Sequence, residues 1–234
     1  MGTDNNIILE LKGITFGYPS RCSVLNGLEL TFSKGQRIGL VGGNGSGKTT
    51  LFHIIMGLLK PITGEIRAFG KSRETEADFK EVREKIGLLF QDSDDQLFCP
   101  TVAEDIAFGP LNLGKTQTEA REVVKETLET LGLLGFEDRV SYKLSSGEKR
   151  LVALATVIAM NPEALLLDEP TTGLDTNTTE RIIGFLNSQS ALSYIIISHD
   201  HDFLERTTRS IYKMDSGKVE KNNCWNKSEE GFQQ

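Results

Sequence analysis

Eight consecutive residues, Gly42-Gly43-Asn44-Gly45-Ser46-Gly47-Lys48-Thr49, have the types and spacing to hold the phosphates of a nucleotide. Gly, four free positions and Gly-Lys-Thr form the phosphate-loop pattern. Arg37–Val41 before the loop reads as a short buried strand, and Thr50–Met56 after it as an apolar helix. A strand-loop-helix passage aims backbone N–H groups and the positive end of a helix dipole at one point, which favours a multiply charged anion. The glycines let the backbone approach the phosphates without a Cβ in the way. Lys48 can reach the β and γ oxygens, and the Thr49 hydroxyl can hold Mg²⁺. The alternative is a Gly-rich turn that binds nothing, but a mere turn would not require Lys48-Thr49-Thr50 at the head of the helix.

Four further groups have chemistry in reach. Leu165–Leu167 is an apolar run ending in Asp168 and Glu169. Beside the loop's strand, Asp168 would approach Mg²⁺ and Glu169 an attacking water. Two solvated acids closing a buried strand would look the same. Leu144-Ser145-Ser146-Gly147-Glu148 opens a helix expected to run to Met160. Ser145 and Glu148 have capping-box spacing, while the free N–H groups of such a helix start also suit an anion. Gln91 follows the apolar run Ile86–Phe90, and His199 follows Tyr194–Ser198. Either could be merely structural.

The elements that must position these groups read as an α/β chain. Ile7–Lys12 and Ile14–Phe16 suggest a first strand pair and Val24–Phe32 another strand, so the opening looks antiparallel. Gly64–Gly70 reads as one more strand, and Lys71–Lys85 as a polar loop leading into a short helix. From Asp92 to about Tyr142 the pattern is helical, with Val123, Val124, Thr127, Leu128 and Leu131 on one face. Ala164–Leu167 and Tyr194–Ile197 are continuous apolar runs of the kind buried in a parallel sheet. Ile211–Met214 and Lys218–Glu220 suggest a closing hairpin, and Asn222–Gln234 a polar tail.

The chain of 234 residues has a formal net charge of −7, which argues against nucleic acid as the main partner. Cys22, Cys99 and Cys224 lack metal-ligand spacing and read as reduced thiols of a cytosolic protein. Neither a signal peptide nor an apolar run of membrane-spanning length is evident, so work at a membrane would go through a partner.

Taken in order, these groups resemble the nucleotide-binding subunit of an ATP-binding cassette (ABC) transporter, from Ile7 to about Val219. Gly42–Thr49 resembles the Walker A loop, Gln91 the Q-loop, Leu144–Glu148 the signature motif and Leu165–Asp168 the Walker B strand. Glu169 matches the general base, Thr172–Asp175 the D-loop, His199 the switch histidine, and Tyr18 the aromatic residue that stacks the adenine. The resemblance implies a P-loop NTPase (RecA-like) core with an N-terminal antiparallel β subdomain and a helical signature subdomain, about 92–150. It implies ATP and Mg²⁺ as cofactors, with Thr49, Gln91 and Asp168 on the metal. It also implies a second ATPase subunit packed head to tail, a homodimer, so that Ser145–Glu148 and Asp175 of one copy meet ATP held by the other. Integral membrane subunits would place the chain at the cytoplasmic face of the cell membrane.

Ser146 stands where the family usually has Gly, Glu148 where it has Gln, and Gly43 where it often has Pro. No long coiled coil separates Lys48 from Ser145, unlike the chromosome-maintenance relatives. Phe90–Phe98, with Asp94, Asp95 and Gln96, and Ala107–Pro110 resemble the ATPase of energy-coupling-factor importers, with Ser93 replacing the usual Pro. That group takes up vitamins, cobalt and nickel, and Gly147–Leu151 is closer to its metal branch. A vitamin importer and a soluble non-transport ATPase are the alternatives. Leu97 and Phe98 would serve either packing inside the helical region or partner contact.

Overall fold

Residues Ile7–Tyr18 form one long strand, β1, in the computed structural model, which describes residues 6–222. The runs Ile7–Lys12 and Ile14–Phe16, read from the sequence as a strand pair, are consecutive lengths of β1. They are joined at Gly13, whose φ is 62°, with a register shift between Leu11 and Ile14. Next come β2 (Arg21–Ser33), β3 (Arg37–Val41), α1 (Lys48–Ile55), β4 (Thr63–Ala68), β5 (Lys71–Ser72) and α2 (Glu76–Lys85). The middle of the chain holds β6 (Ile86–Leu89), α3 (Val102–Asn112), α4 (Gln117–Thr130), α5 (Ser146–Ile158) and β7 (Ala164–Asp168). The chain ends in α6 (Thr176–Ser188), β8 (Ser193–Ile197), α7 (His201–Thr207), β9 (Ser210–Asp215) and β10 (Lys218–Lys221). The stretch Lys71–Lys85 thus carries a short strand as well as the expected helix. The tail read as polar lies outside the described residues beyond Asn222, as does Cys224.

Two compact units divide these elements, one running up to Phe79 and resuming at Tyr194, the other spanning Lys80–Ser193. In the first, β2, β1, β4 and β5 form an antiparallel sheet in that order. Its second sheet has β3 at the centre, parallel to β8 on one side and β9 on the other, with β10 antiparallel at the edge. Ile38 and Leu40 of β3 and Tyr194–Ile197 of β8 are buried, as uniformly apolar strands of a parallel sheet must be. Leu51, Phe52, Ile54 and Ile55 of α1 are also buried.

In the second unit β6 lies parallel to β7, Ile86 facing Ala164 and Leu89 facing Leu167. The segment expected to be helical lies wholly inside this unit. Each of α3, α4 and α5 begins with a reciprocal capping box: Thr101 with Glu104, Thr116 with Glu119, and Ser145 with Glu148. Helix α5 is buried from Arg150 to Ala155 and at Val157. A helix covered on nearly every face is the centre of its unit.

Leu166 is 1% exposed, at the middle of the strand that ends in Asp168. Leu166→Ala should lower stability by about 2–5 kcal/mol through lost burial and an unfilled cavity. The check is the urea denaturation midpoint at unchanged slope; a loss below about 1 kcal/mol would contradict this packing.

Candidate functional site

In the first unit, β3 hands the chain directly to the loop Gly42–Gly47, and α1 begins at Lys48. Gly45 and Gly47 have φ of 74° and 106°, which L side chains rarely adopt. A Cβ on Gly42 would lie 2.4 Å from the Met214 carbonyl oxygen, whereas one on Gly43 would meet nothing within 4 Å. The space at Gly43 is thus open to a larger side chain. Asn44 is exposed at the tip.

Lys48 is only 8% exposed, and its Nζ donates to the carbonyls of Gly42 (2.8 Å) and Gly43 (3.1 Å). The charge is therefore held over the loop. Ser46 Oγ is buried and has no hydrogen-bond partner among the described residues. A buried hydroxyl costs free energy unless paired, and a phosphate oxygen at the N-terminus of α1 would satisfy it. These residues fit a nucleotide phosphate. Thr49 is half-buried at the second position of the helix. Thr50 Oγ1 shares a hydrogen bond of 3.2 Å with Tyr18 Oη, and the Tyr18 ring packs edge-on against Phe16 at 4.9 Å. Arg21, which the sequence did not single out, donates from Nη1 to the Gly45 carbonyl at 2.8 Å. It is a lone cation in a strand, and no motif marks it.

His199 follows β8 and is exposed. Since β8 and β3 are parallel neighbours, His199 and Gly42 emerge at the same, carboxyl, end of adjacent strands. Ligands of open α/β sheets bind at such ends. His201 is the first residue of α7, and Asp200 caps that helix by accepting from the Phe203 N–H at 3.0 Å.

The second unit repeats this arrangement. Gln91, exposed, follows β6, while Asp168 ends the parallel strand β7 and Glu169 comes next. Asp168 is 2% exposed and Glu169 9%. Glu169 has a φ of 48°, a strained value for a non-glycine residue, and its Oε2 accepts from Thr172 Oγ1 at 3.0 Å.

At the start of α5 the reciprocal box is fully formed. Glu148 Oε2 accepts from both the N–H and the hydroxyl of Ser145, each at 2.8 Å, and Oε1 accepts from Arg139 Nη1 at 2.8 Å. The Ser145 N–H and hydroxyl, and then the Arg139 guanidinium, hold the Glu148 carboxyl below its ordinary range. Ser146 is exposed and Gly147 half-buried. A Cβ on Gly147 would sit 3.8 Å from Asp175 Oδ2. Asp175 caps α6, accepting from the N–H (3.0 Å) and hydroxyl (2.7 Å) of Thr178, and these bonds lower its pKa. A cavity of about 250 Å³ in this unit is bordered by Gln91, Ser146, Lys149, Arg150, Thr172 and Leu174.

The Asp-x-Gln segment anchors the chain after Gln91. Lys149 Nζ reaches Asp94 Oδ1 at 2.5 Å, while Gln96 accepts from the Phe90 N–H and donates to Ala153 O and Thr156 Oγ1 on α5. Phe98 does not pack inside. It is 65% exposed and meets the exposed Phe108 edge-on at 4.8 Å.

Residues 25–172 match the ABC transporter family. The chain is 41% identical to the energy-coupling factor transporter ATP-binding protein EcfA of Methanothermobacter thermautotrophicus, over 91% of this chain and 69% of that protein. It superposes with a TM-score of 0.81 on CbiO1 from Clostridium perfringens, part of the ABC transporter complex CbiONQ. That match has 33% identity and covers 93% of this chain and 89% of that one. A dimeric ATP-binding cassette in a post-hydrolysis state, bound to ADP and Pi, also superposes with a TM-score of 0.81. Its identity is 26%, over 92% of this chain and 98% of that one. The α/β architecture is that of a P-loop NTPase, and the chain belongs to the ABC transporter family as an ATP-binding and ATP-hydrolysing subunit.

Proposed function

We propose that this chain energises an importer of the energy-coupling-factor type, with cobalt or nickel ions as the cargo. The likeness to EcfA across 91% of the chain carries this reading, supported by the CbiO1 superposition. The likeness of Phe90–Pro110 supports the energy-coupling-factor group, and the choice of cargo rests on the resemblance of Gly147–Leu151 to its metal branch. The chain would act as one ATPase domain, with 92–150 as its helical subdomain. Two copies would pair head to tail on integral membrane subunits at the cytoplasmic face; that a similar cassette is dimeric supports the pairing. Among the described residues no helix is long and apolar enough to cross a membrane.

In this reading the loop Gly42–Thr49 binds the phosphates, with Lys48 on the β and γ oxygens and Tyr18 against the adenine. Glu169 accepts the proton of the attacking water, and His199 contacts the γ-phosphate. Thr49, Gln91 and Asp168 would hold Mg²⁺, whose chemistry is to neutralise charge on the phosphates. Ser145–Glu148 and Asp175 would face the nucleotide of the other copy. ATP then favours the closed pair because it contacts both copies.

Three outcomes are expected. Lys48→Ala should weaken ATP binding at least about 100-fold, the loss of charge-assisted hydrogen bonds worth about 3 kcal/mol; tight binding by calorimetry would remove the phosphate-loop assignment. Glu169→Gln should bind ATP as well as the parent and lose about 10²–10⁴ in turnover, accumulating an ATP-bound dimer. A monomeric variant that still turns over would contradict both the base and the pairing. Finally, the chain purified with its native membrane partners in vesicles should drive ATP-dependent uptake of radiolabelled Co²⁺ or Ni²⁺. Vitamin uptake alone would overturn the cargo, and a chain without membrane partners in its own cells would overturn the transport role.

A further inference from the structure

Arg150, 4% exposed in α5, gives all five hydrogen bonds recorded for its guanidinium to main-chain carbonyls of two other segments. Nε donates to Pro170 O at 3.2 Å. Nη1 donates to Phe90 O at 2.5 Å and Gln91 O at 3.1 Å. Nη2 donates to Asp168 O at 2.5 Å and Glu169 O at 2.6 Å. A guanidinium has five N–H groups, so its fork matches five acceptors. Burial draws the Arg150 pKa down to about 10, against the opposing pull of Asp168, Glu169 and Asp92.

The acceptors are not scattered. Three are the consecutive carbonyls of Asp168, Glu169 and Pro170, and the middle residue is the one with φ of 48°. A strained backbone of this kind persists only where its surroundings over-determine it, and Arg150 grips the strained peptide and both its neighbours. The other two acceptors frame the turn into Gln91. The Phe90 peptide is held from both sides, its carbonyl by Arg150 and its N–H by Gln96, which is itself bonded to Ala153 and Thr156 of α5.

We infer that Arg150 is a positioning residue that fixes Glu169 and Gln91 to the signature helix α5, so that a shift at the start of α5 is passed to the hydrolytic carboxylate. The inference rests on the proposed role of Glu169. The hydrogen bonds of Arg150 all go to the backbone, so it holds the Glu169 segment in place without donating to the carboxylate itself. Lysine keeps the charge but offers three donors from a single point, which cannot span both segments. The conservative replacement therefore should not rescue.

The test uses the whole chain carrying Arg150→Lys or Arg150→Gln, with kcat, KM for ATP, ATP affinity and amide hydrogen exchange measured. Both variants should lose about 10- to 100-fold in kcat, the scale expected when a reacting group is displaced by about 1 Å. ATP affinity should stay within about two-fold. Exchange should quicken at residues 90–92 and 168–172 and not at 42–50. In the Glu169→Gln background, Arg150→Lys should remove less than about two-fold more of the residual turnover, because the two changes act at one place. Should neither Arg150 variant fold, Gln96→Leu removes one grip on Phe90 and leaves the Arg150 hydrogen bonds in place. It should lower kcat several-fold at unchanged affinity. Full kcat in Arg150→Lys or in Gln96→Leu, equal losses of kcat and affinity, or additive losses with Glu169→Gln would overturn the inference. Normal turnover of Glu169→Gln alone would instead remove the base assignment beneath it.

Discussion

Parallel strand pairing is the constraint on which the candidate site depends. When neighbours run the same way, the loops that leave their carboxyl ends emerge together, however far apart they lie in the chain. In the first unit this brings out Gly42 after β3 and His199 after β8. In the second it brings out Gln91 after β6 and Asp168 after β7. Burial makes the arrangement firm. These strands are apolar along nearly their whole length, so a slip in register would break ladder bonds and repack the core on both faces. Groups placed at such ends inherit the precision of the sheet rather than the mobility of a loop.

Much of this was legible in residue types. The phosphate loop, the runs Leu165–Leu167 and Tyr194–Ile197, and the helix from Thr118 to Leu131 each carry a local pattern, and local patterns survive in one dimension. The misreading of β1 has a local cause too: Lys12 and Gly13 interrupt its apolar alternation, and the register shift there restores the pairing one step later. Helix α6 was missed because it opens on Thr-Asn-Thr-Thr, residues of poor helix propensity, and relies on the Asp175 cap and on burying Ile182, Ile183 and Leu186. Helix α7 has seven residues, too few for a period to show. Arg150 was visible only as one residue of the run Gly147–Leu151. Its partners at 90–91 and 168–170 become neighbours only after folding.

The departures in the signature segment have a physical account. Glu148 closes the capping box as an amide could, and its second oxygen takes Arg139, which itself stacks over the Phe136 ring at 3.7 Å. The extra negative charge is thus offset within the chain. Ser146 sits exposed at the first position of α5, where a small side chain is accommodated and the N–H still points outward.

The repeated capping boxes give three helices the same kind of start, and two of them a shared sensitivity to acid. In each the glutamate accepts from the residue that caps the helix, and an ionised carboxylate accepts more strongly than an uncharged carbonyl oxygen. For Glu119 and Glu148 those bonds hold the folded-state pKa below the ordinary carboxylate value. Their stabilisation is complete above that ordinary value and disappears as pH falls through the lowered ones. Acid therefore frays the starts of α4 and α5 together, while the apolar stripes beneath them carry no proton to gain. The segment bearing Ser145 and Ser146 is thus one of the two places where acid acts directly on a helix start of the second unit.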